Sequence, residues 1–243
     1  VSGRRRLAGF HGLGVSTAAL RAEVVALVQT LRQAGQAERA QAMAAYLRGQ
    51  FIFLGVATPE RRAISADLLR VPRDRATLLQ LAALLFAQTP RECHYVACDL
   101  LRRQVKRLQA QDLPLLVDWA EQGAWWDVVD ALVPTIGQVV RQHRASAPQL
   151  LQALDEALSH GNFWRRRVAM LHQLGWRLDT DAQRLFRYAL HLAPESEFFI
   201  RKAIGWALRD YARWAPDAVR QFLREHAQTL SPLSLREAGQ HLT

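Results

Sequence analysis

The spacing of hydrophobic and polar positions predicts helices along almost the whole chain. Apolar residues recur at helical intervals, and no segment alternates apolar and polar residues for long enough to indicate a strand. Capping residues beside prolines mark helix starts, and in the two Thr-Pro pairs we expect threonine to cap the helix and proline to lie in its first turn. The predicted starts are Thr58-Pro59-Glu60, Thr89-Pro90-Arg91, Asp112-Leu113-Pro114, Ala147-Pro148 and Ser231-Pro232, and the predicted breaks are Gly35, Gly123, Gly161 and Gly175.

One kind of helix recurs, with an aromatic or polar start followed by an apolar and basic body. Its copies begin near Arg91, Trp125, Phe163 and Phe198, about 34 to 38 residues apart, which is the period of two-helix repeats such as HEAT units. We therefore predict an all-α fold of HEAT-like helical repeats that form a curved α-α superhelix, or solenoid, with a concave surface. We expect residues 17–243 to form this single repeat domain and residues 1–16 to be a flexible leader.

The chain carries a surplus of positive charge, which narrows the kind of partner it can have. Its formal net charge is +10, and Lys106 and Lys202 are the only lysines, so nearly all of its cations are arginines. This surplus favours a polyanionic partner, and nucleic acid is the first candidate. An acidic membrane surface and a simple contribution to solubility stay open as alternatives.

Other features of the sequence argue against several classes of protein. The longest apolar stretch, residues 78–87, is too short for a membrane span, which needs about 20 residues, and the N-terminus lacks the apolar core of a signal peptide. We therefore expect a cytoplasmic protein. Cys93 and Cys98 lie on different faces of a predicted helix, which favours small core residues over a disulfide. Because the spacings typical of zinc sites and phosphate loops are missing, we expect no metal or cofactor.

Asp130 is the most informative single residue. It stands in an otherwise apolar run, where an ionised side chain is costly unless it is paired or lines a cavity. Trp126 lies four residues earlier and so shares a helix face with it, which places an aromatic ring beside a carboxylate. This arrangement suits a catalytic site. A buried salt bridge at Asp130, with Trp125 and Trp126 in the core, is the equally open alternative.

The combination of an aromatic ring and a charge recurs in the next two copies of the helix. Trp164 and Arg167 are three residues apart on one predicted helix, and Lys202 and Trp206 are four apart on the next. If these helices line one groove, it offers cations for phosphates and indole faces for a sugar or a base. Each pair taken alone is more often a core residue beside a solvated edge.

Several stretches form an ordered pattern that is more specific than any single spacing. They are Tyr46, residues 50–56, residues 58–62, residues 125–130, Trp164 with Arg167, residues 198–206 and residues 233–238. In these stretches the chain resembles the AlkD family of DNA alkylation-repair glycosylases, and the similarity spans residues 37–240.

The resemblance implies a role for particular residues. It implies a catalytic carboxylate at Asp130, two tryptophans that face the sugar at Trp126 and Trp206, and a phosphate-binding arginine at Arg167. It also implies that double-stranded DNA with alkylated bases is bound on a basic concave surface. The expected DNA-binding side chains are Arg167, Lys202, Arg166, Tyr46 and Trp164. We further expect a monomer that acts at the nucleoid in the cytoplasm of a bacterium, without a membrane partner.

The chemistry of the implied reaction explains why one carboxylate is enough. A purine alkylated at N3 or N7 is positively charged and leaves as a neutral base, so it needs no general acid, whereas ordinary glycoside hydrolysis uses two carboxyl groups. The expected function is therefore a DNA glycosylase that excises bases such as 3-methyladenine and 7-methylguanine in base excision repair, without the base flipping that most such enzymes use. A non-catalytic HEAT-repeat protein for distorted or branched DNA and a helical scaffold for another protein stay open as alternatives.

Overall fold

The computed structural model describes residues 16–240 and residue 242, and every regular element in this part of the chain is a helix. The predicted all-helical class is confirmed. Residues 1–15 of the predicted leader lie outside the described residues. Ser16, the last residue of that predicted leader, caps the first helix, since its Oγ accepts a hydrogen bond of 3.2 Å from the Ala19 N–H.

The chain divides into two compact units, one up to Leu100 and one from Leu101. In the first unit, α1 packs on α5, and leucines at helical spacing on both helices form the core between them. Glu92 is fully buried, and its carboxylate accepts hydrogen bonds from the backbone N–H groups of Leu54, Gly55 and Val56. The helices that begin in this unit are α1 (Thr17–Ala34), α2 (Ala37–Tyr46), α3 (Thr58–Ile64), α4 (Ala66–Arg70), α5 (Arg75–Phe86) and α6 (Arg91–Arg103), which runs into the second unit.

The second unit is a series of helices that pack on their neighbours. α7 packs on α8, α10 contacts both α8 and α12, and α12 packs on α14. Its α-helices are α7 (Leu113–Glu121), α8 (Trp126–His143), α9 (Gln149–Ala157), α10 (Phe163–Leu171), α11 (Ala182–Leu192), α12 (Phe198–Ala212), α13 (Pro216–Glu225) and α14 (Pro232–Gly239). Short 3-10 helices span Val105–Arg107, Ala110–Asp112 and Arg177–Asp179. The recurring helices begin where the pattern predicts, as α6, α8, α10 and α12.

The positions at which the helices begin match the predictions more closely than the predicted capping side chains do. Ser231 caps α14 by accepting the Ser234 N–H at 3.1 Å, as its place before a proline predicts. The predicted cap at Thr58 is wrong. The Arg61 N–H donates to the Ala57 carbonyl at 2.8 Å, so α3 begins one residue earlier and Thr58 is already helical.

A close approach of two helices fixes the position of α12. Gly205 lies so near α14 that a Cβ atom at this position would be 2.4 Å from Cβ of Glu237 and 2.9 Å from the Ser234 carbonyl oxygen. Only glycine permits this separation without a shift of one helix. The contact therefore sets where α12 presents its other side chains, including Lys202 and Trp206.

Two further observations bear on the predicted class of protein. Cys93 and Cys98 are buried free thiols, as predicted. Among the described helices, none combines the length and the apolar character that a membrane span requires.

Candidate active site

Asp130 and Arg167 form a two-pronged ion pair between helices α8 and α10. Nε of Arg167 donates to Oδ1 of Asp130 at 2.8 Å, and Nη2 donates to Oδ2 at 2.8 Å. The Asp130 side chain is 18% exposed and that of Arg167 is 4% exposed. The salt bridge that the sequence left open as an alternative is therefore present. The Asp130 carboxylate is the part of this salt bridge that reaches solvent.

The guanidinium of Arg167 also joins this pair to α12. Its Nη1 donates to the backbone carbonyl oxygen of Phe199, and its Cζ lies 6.0 Å from the ring centroids of both Phe199 and Trp206. Because a guanidinium has five N–H groups, these three hydrogen bonds leave one N–H on each terminal nitrogen. One arginine thus fixes Asp130 relative to three helices.

Burial and the ion pair act on the Asp130 carboxyl in opposite directions. Burial raises its pKa, because the charged form loses hydration, and the hydrogen bonds and positive charge of Arg167 lower it. The net result is a pKa above the ordinary value for aspartate. Arg167 limits this rise, which favours the ionised form near neutral pH and holds it in one orientation.

The two predicted sugar-facing tryptophans both adjoin this ion pair. Trp126 opens α8 one turn before Asp130 and is half-buried. Trp206 is half-buried on α12, and its ring lies against the guanidinium that holds Asp130. The guanidinium of Arg167 therefore links Asp130 to Trp206, and Trp126 lies on the same helix as the carboxylate.

An aromatic cluster supports the site from the inside of the unit. Trp164 is 6% exposed, and its ring centroid lies 5.0 Å from that of Phe199 and 6.0 Å from that of Trp125. Its burial favours a packing role, and its predicted contact with DNA stays a prediction. The backbone oxygen of Phe199, which anchors Arg167, is the main site component that sequence reasoning missed.

The remaining predicted DNA-binding residues differ in how accessible their charge is. Lys202 is 42% exposed, with Nζ 3.4 Å from Oε1 of Glu237. Arg166 is 18% exposed and pairs with Glu195 at 2.6 Å, so its charge is largely compensated. Tyr46 ends α2 in the first unit and is 73% exposed. Their contacts with DNA stay predictions.

A proline in α8 affects the backbone carbonyl oxygen of Asp130. Pro134 lies inside α8 and has no N–H, so the carbonyl oxygen of Asp130, four residues earlier, cannot receive its usual helical hydrogen bond. The residue that bears the carboxylate thus also bears a backbone oxygen with spare acceptor capacity.

In the described part of the chain, no three side chains of histidine, cysteine, aspartate or glutamate are grouped so that they could bind a metal ion.

The fold and this site together define a class of protein: an all-helical protein in which arginine holds a mostly buried aspartate, with a tryptophan one turn earlier on the same helix and another beside the arginine. The chain belongs to the DNA alkylation repair enzyme family, whose sequence pattern matches residues 27–242. This confirms the resemblance that the sequence indicated.

Solved structures with similar folds include one relative that is 35% identical and two more distant ones. A structure described as a predicted DNA alkylation repair enzyme from Enterococcus faecalis is 35% identical, covers 86% of this chain and 97% of its own, and has a TM-score of 0.78. AlkD2 from Streptococcus mutans is 19% identical, covers 84% of this chain and 99% of its own, and has a TM-score of 0.57, which shows the same fold. The protein smu.31 from Streptococcus mutans UA159 is 19% identical over 76% of this chain and 92% of its own, with a TM-score of 0.55. A comparison with curated proteins gave no match.

Proposed function

We propose that this protein is a DNA glycosylase that excises N3- and N7-alkylated purines from duplex DNA. The observation that carries the proposal is the Asp130 carboxylate, which Arg167 fixes through two hydrogen bonds of 2.8 Å while its guanidinium lies 6.0 Å from the ring centroid of Trp206. A carboxylate oriented in this way stabilises positive charge that develops next to it, and it does so without reorganising during the reaction.

The charge of the substrate explains how a lone carboxylate is sufficient. As the bond between C1′ and the base nitrogen breaks, its electron pair neutralises the positive charge of the alkylated purine, which leaves as a neutral base. The sugar then carries the positive charge of an oxocarbenium-like transition state, as in other glycoside hydrolysis. Water bonds to C1′ and passes its proton through Asp130 to solvent. The products are a free base and an abasic site in an intact strand.

The surroundings of the carboxylate fit an extended sugar and phosphate backbone. The Asp130 edge is partly open to solvent, and the half-buried rings of Trp126 and Trp206 offer aromatic faces to a cationic sugar. Arg167 keeps two N–H groups beyond its three hydrogen bonds, so a neighbouring phosphate is a suitable acceptor. Such a site can act on the sugar while the base stays stacked, and we propose that the protein works in this way, as a monomer.

A second candidate function is favoured by one specific observation. Because Arg167 satisfies both oxygens of Asp130, the pair also suits a purely structural salt bridge in a non-catalytic protein that binds distorted or branched DNA. Such a protein would bind DNA by charge and shape and would release no base.

The experiment that separates these functions measures free base directly. The protein is incubated in excess with duplexes that carry a single 7-methylguanine, 3-methyladenine or uncharged ethenoadenine, and released base is quantified by chromatography. We expect release of the two cationic bases only, because the neutral lesion is a poorer leaving group without a general acid. Equal release of the uncharged base would contradict the mechanism. Tight binding of branched DNA with no release of any base would establish the second function.

A further inference from the structure

A cavity in the second unit, which begins one helical turn beyond Asp130 at Pro134, has no role in the proposed reaction. Its volume is about 370 Å³, several times the share of a single water molecule, which is about 30 Å³. The last turn of α6, the 3-10 helix after it, the second half of α8 and the loop after α10 form its walls. The polar side chains that line it are Arg102, Lys106, Thr135, Gln138, Arg141 and Gln142.

The charge of this cavity is positive and mostly uncompensated. Arg102 and Lys106 are exposed, and neither makes an ion pair or a hydrogen bond with another described residue. Arg141 pairs with Asp179 at 2.7 Å. Among the described residues that line the cavity none is acidic. A site with three cations and no carboxylate in its wall attracts an anion.

Uncharged donors in the cavity wall also lack partners. Thr135 is 1% exposed, and its Oγ1 is buried with no hydrogen-bond partner among the described residues. A buried hydroxyl without a partner is costly, and such groups in a folded protein call for an explanation. The amides of Gln138 and Gln142 likewise make no hydrogen bond within the described part of the chain. Cations together with free hydroxyl and amide donors match the oxygens of a phosphate group.

The cavity lies on the same face of α8 as the carboxylate. Pro134 and Arg141 line the cavity and lie four and eleven residues beyond Asp130, so both side chains point within about 40° of its direction, about 6 and 16 Å further along the axis. At 3.4 Å per nucleotide of one strand, these distances span about two to five nucleotides. A duplex with its damaged nucleotide at Asp130 therefore extends far enough to bring a backbone phosphate to the cavity.

We propose that this cavity is a second phosphate-binding site, in which Arg102 and Lys106 hold a phosphodiester of the DNA strand outside the damaged nucleotide. The choice of DNA as its ligand rests on the proposed function. The site is independent of the lesion, since it contacts neither the base nor the sugar at Asp130. It fixes the register of the duplex on the protein and contributes to binding of damaged and undamaged DNA alike.

The test compares two pairs of cations from one segment. The cavity pair is the double variant Arg102→Gln with Lys106→Gln, which removes two cations that line the cavity. The control pair is Arg103→Gln with Arg107→Gln, which removes two exposed cations of the same segment that do not line the cavity. Binding of an undamaged duplex is measured against salt concentration, so the result does not depend on base release. We expect the slope of log K against log salt to fall by about two for the cavity pair and to change little for the control pair.

Three outcomes would overturn the proposal. Equal loss of slope in both pairs would show a general effect of surface charge, and no loss in either pair would show that the duplex does not reach the cavity. The third outcome combines two measurements. If inorganic phosphate raises the melting temperature of the wild type but not of the cavity pair, and the salt slope of DNA binding is the same in both, the cavity binds free phosphate and not DNA.

A second variant tests the buried hydroxyl without removing charge. Thr135→Val keeps the shape of the side chain and removes only Oγ1, which has no partner among the described residues. We expect an unchanged or higher melting temperature and about tenfold weaker DNA binding, the loss typical of a hydrogen bond to a charged group. A lower melting temperature with unchanged binding would show that the hydroxyl serves the fold.

Discussion

At the scale of the residue, Asp130 meets two conflicting requirements. In the proposed reaction it must be ionised to stabilise a cationic sugar, and it must be buried enough for its charge to act strongly at short range. Burial raises its pKa, and the guanidinium of Arg167 opposes that rise. The bidentate geometry matters here, because lysine carries the same charge but cannot donate two parallel hydrogen bonds to one carboxylate.

The raised pKa of Asp130 sets the pH dependence of base release. In the proposed reaction the active form is the carboxylate, so we expect base release to be lost as pH falls through the pKa of Asp130 in the folded protein. Because that pKa is raised, we expect the acidic limb to lie above the ordinary aspartate value of about 3.9. In Arg167→Lys the limb should move to still higher pH, because the paired hydrogen bonds are lost.

The measurement is the single-turnover rate of 7-methylguanine release against pH, with the spontaneous loss of base subtracted. Asp127→Asn is the opposing comparison, because the negative charge of Asp127 contributes to the raised pKa of Asp130, so its removal should move the acidic limb to lower pH. The interpretation of the ion pair would be contradicted if the rate fell only near the ordinary pKa of aspartate. It would also be contradicted if the rate fell at the same pH in wild type and Arg167→Lys.

At the scale of the element, local signals predicted the helices well and the site only in part. The starts of α8, α10 and α12 follow from patterns within a few residues, such as Asn162, whose side chain accepts the Trp164 N–H at 2.9 Å. The link from Arg167 to the Phe199 carbonyl joins residues 32 positions apart, and a backbone oxygen has no signature in a sequence. Asp130 was found because a charge in an apolar run is unusual, but the pattern did not name its partner.

The contact of α12 with α14 at Gly205 predicts a measurable loss of stability. Gly205→Ala places a methyl group against Glu237 and the Ser234 carbonyl, so we expect the free energy of unfolding to fall by about 1–3 kcal/mol. Gly239→Ala is the matched control, since a Cβ there meets nothing within 4 Å and alanine is the better helix former. Both are measured by denaturant unfolding. Equal stability of the two variants would show that α12 can move without cost.

At the scale of the whole molecule, net charge is a weak guide until the ion pairs are known. The sequence shows a surplus of +10, but the structure pairs several arginines with carboxylates, as Arg165 with Asp118 and Arg166 with Glu195. Such pairs contribute little to the attraction of a polyanion. The sequence predicted a basic protein that binds DNA. It did not show which cations are neutralised by ion pairs with carboxylates and which, such as Arg102 and Lys106, are accessible.

The most direct test of the account is to remove the charge of Asp130 and leave its shape. Asp130→Asn and the control Asp127→Asn are compared with wild type for release of 7-methylguanine from duplex DNA and for binding of the same duplex. We expect Asp130→Asn to release base at least about 100-fold more slowly, the scale of one lost transition-state contact, with nearly unchanged binding. Asp127→Asn should release base at close to the wild-type rate at neutral pH, because removing its charge only makes Asp130 easier to ionise. Undiminished base release by Asp130→Asn, with both variants folded, would contradict the central claim.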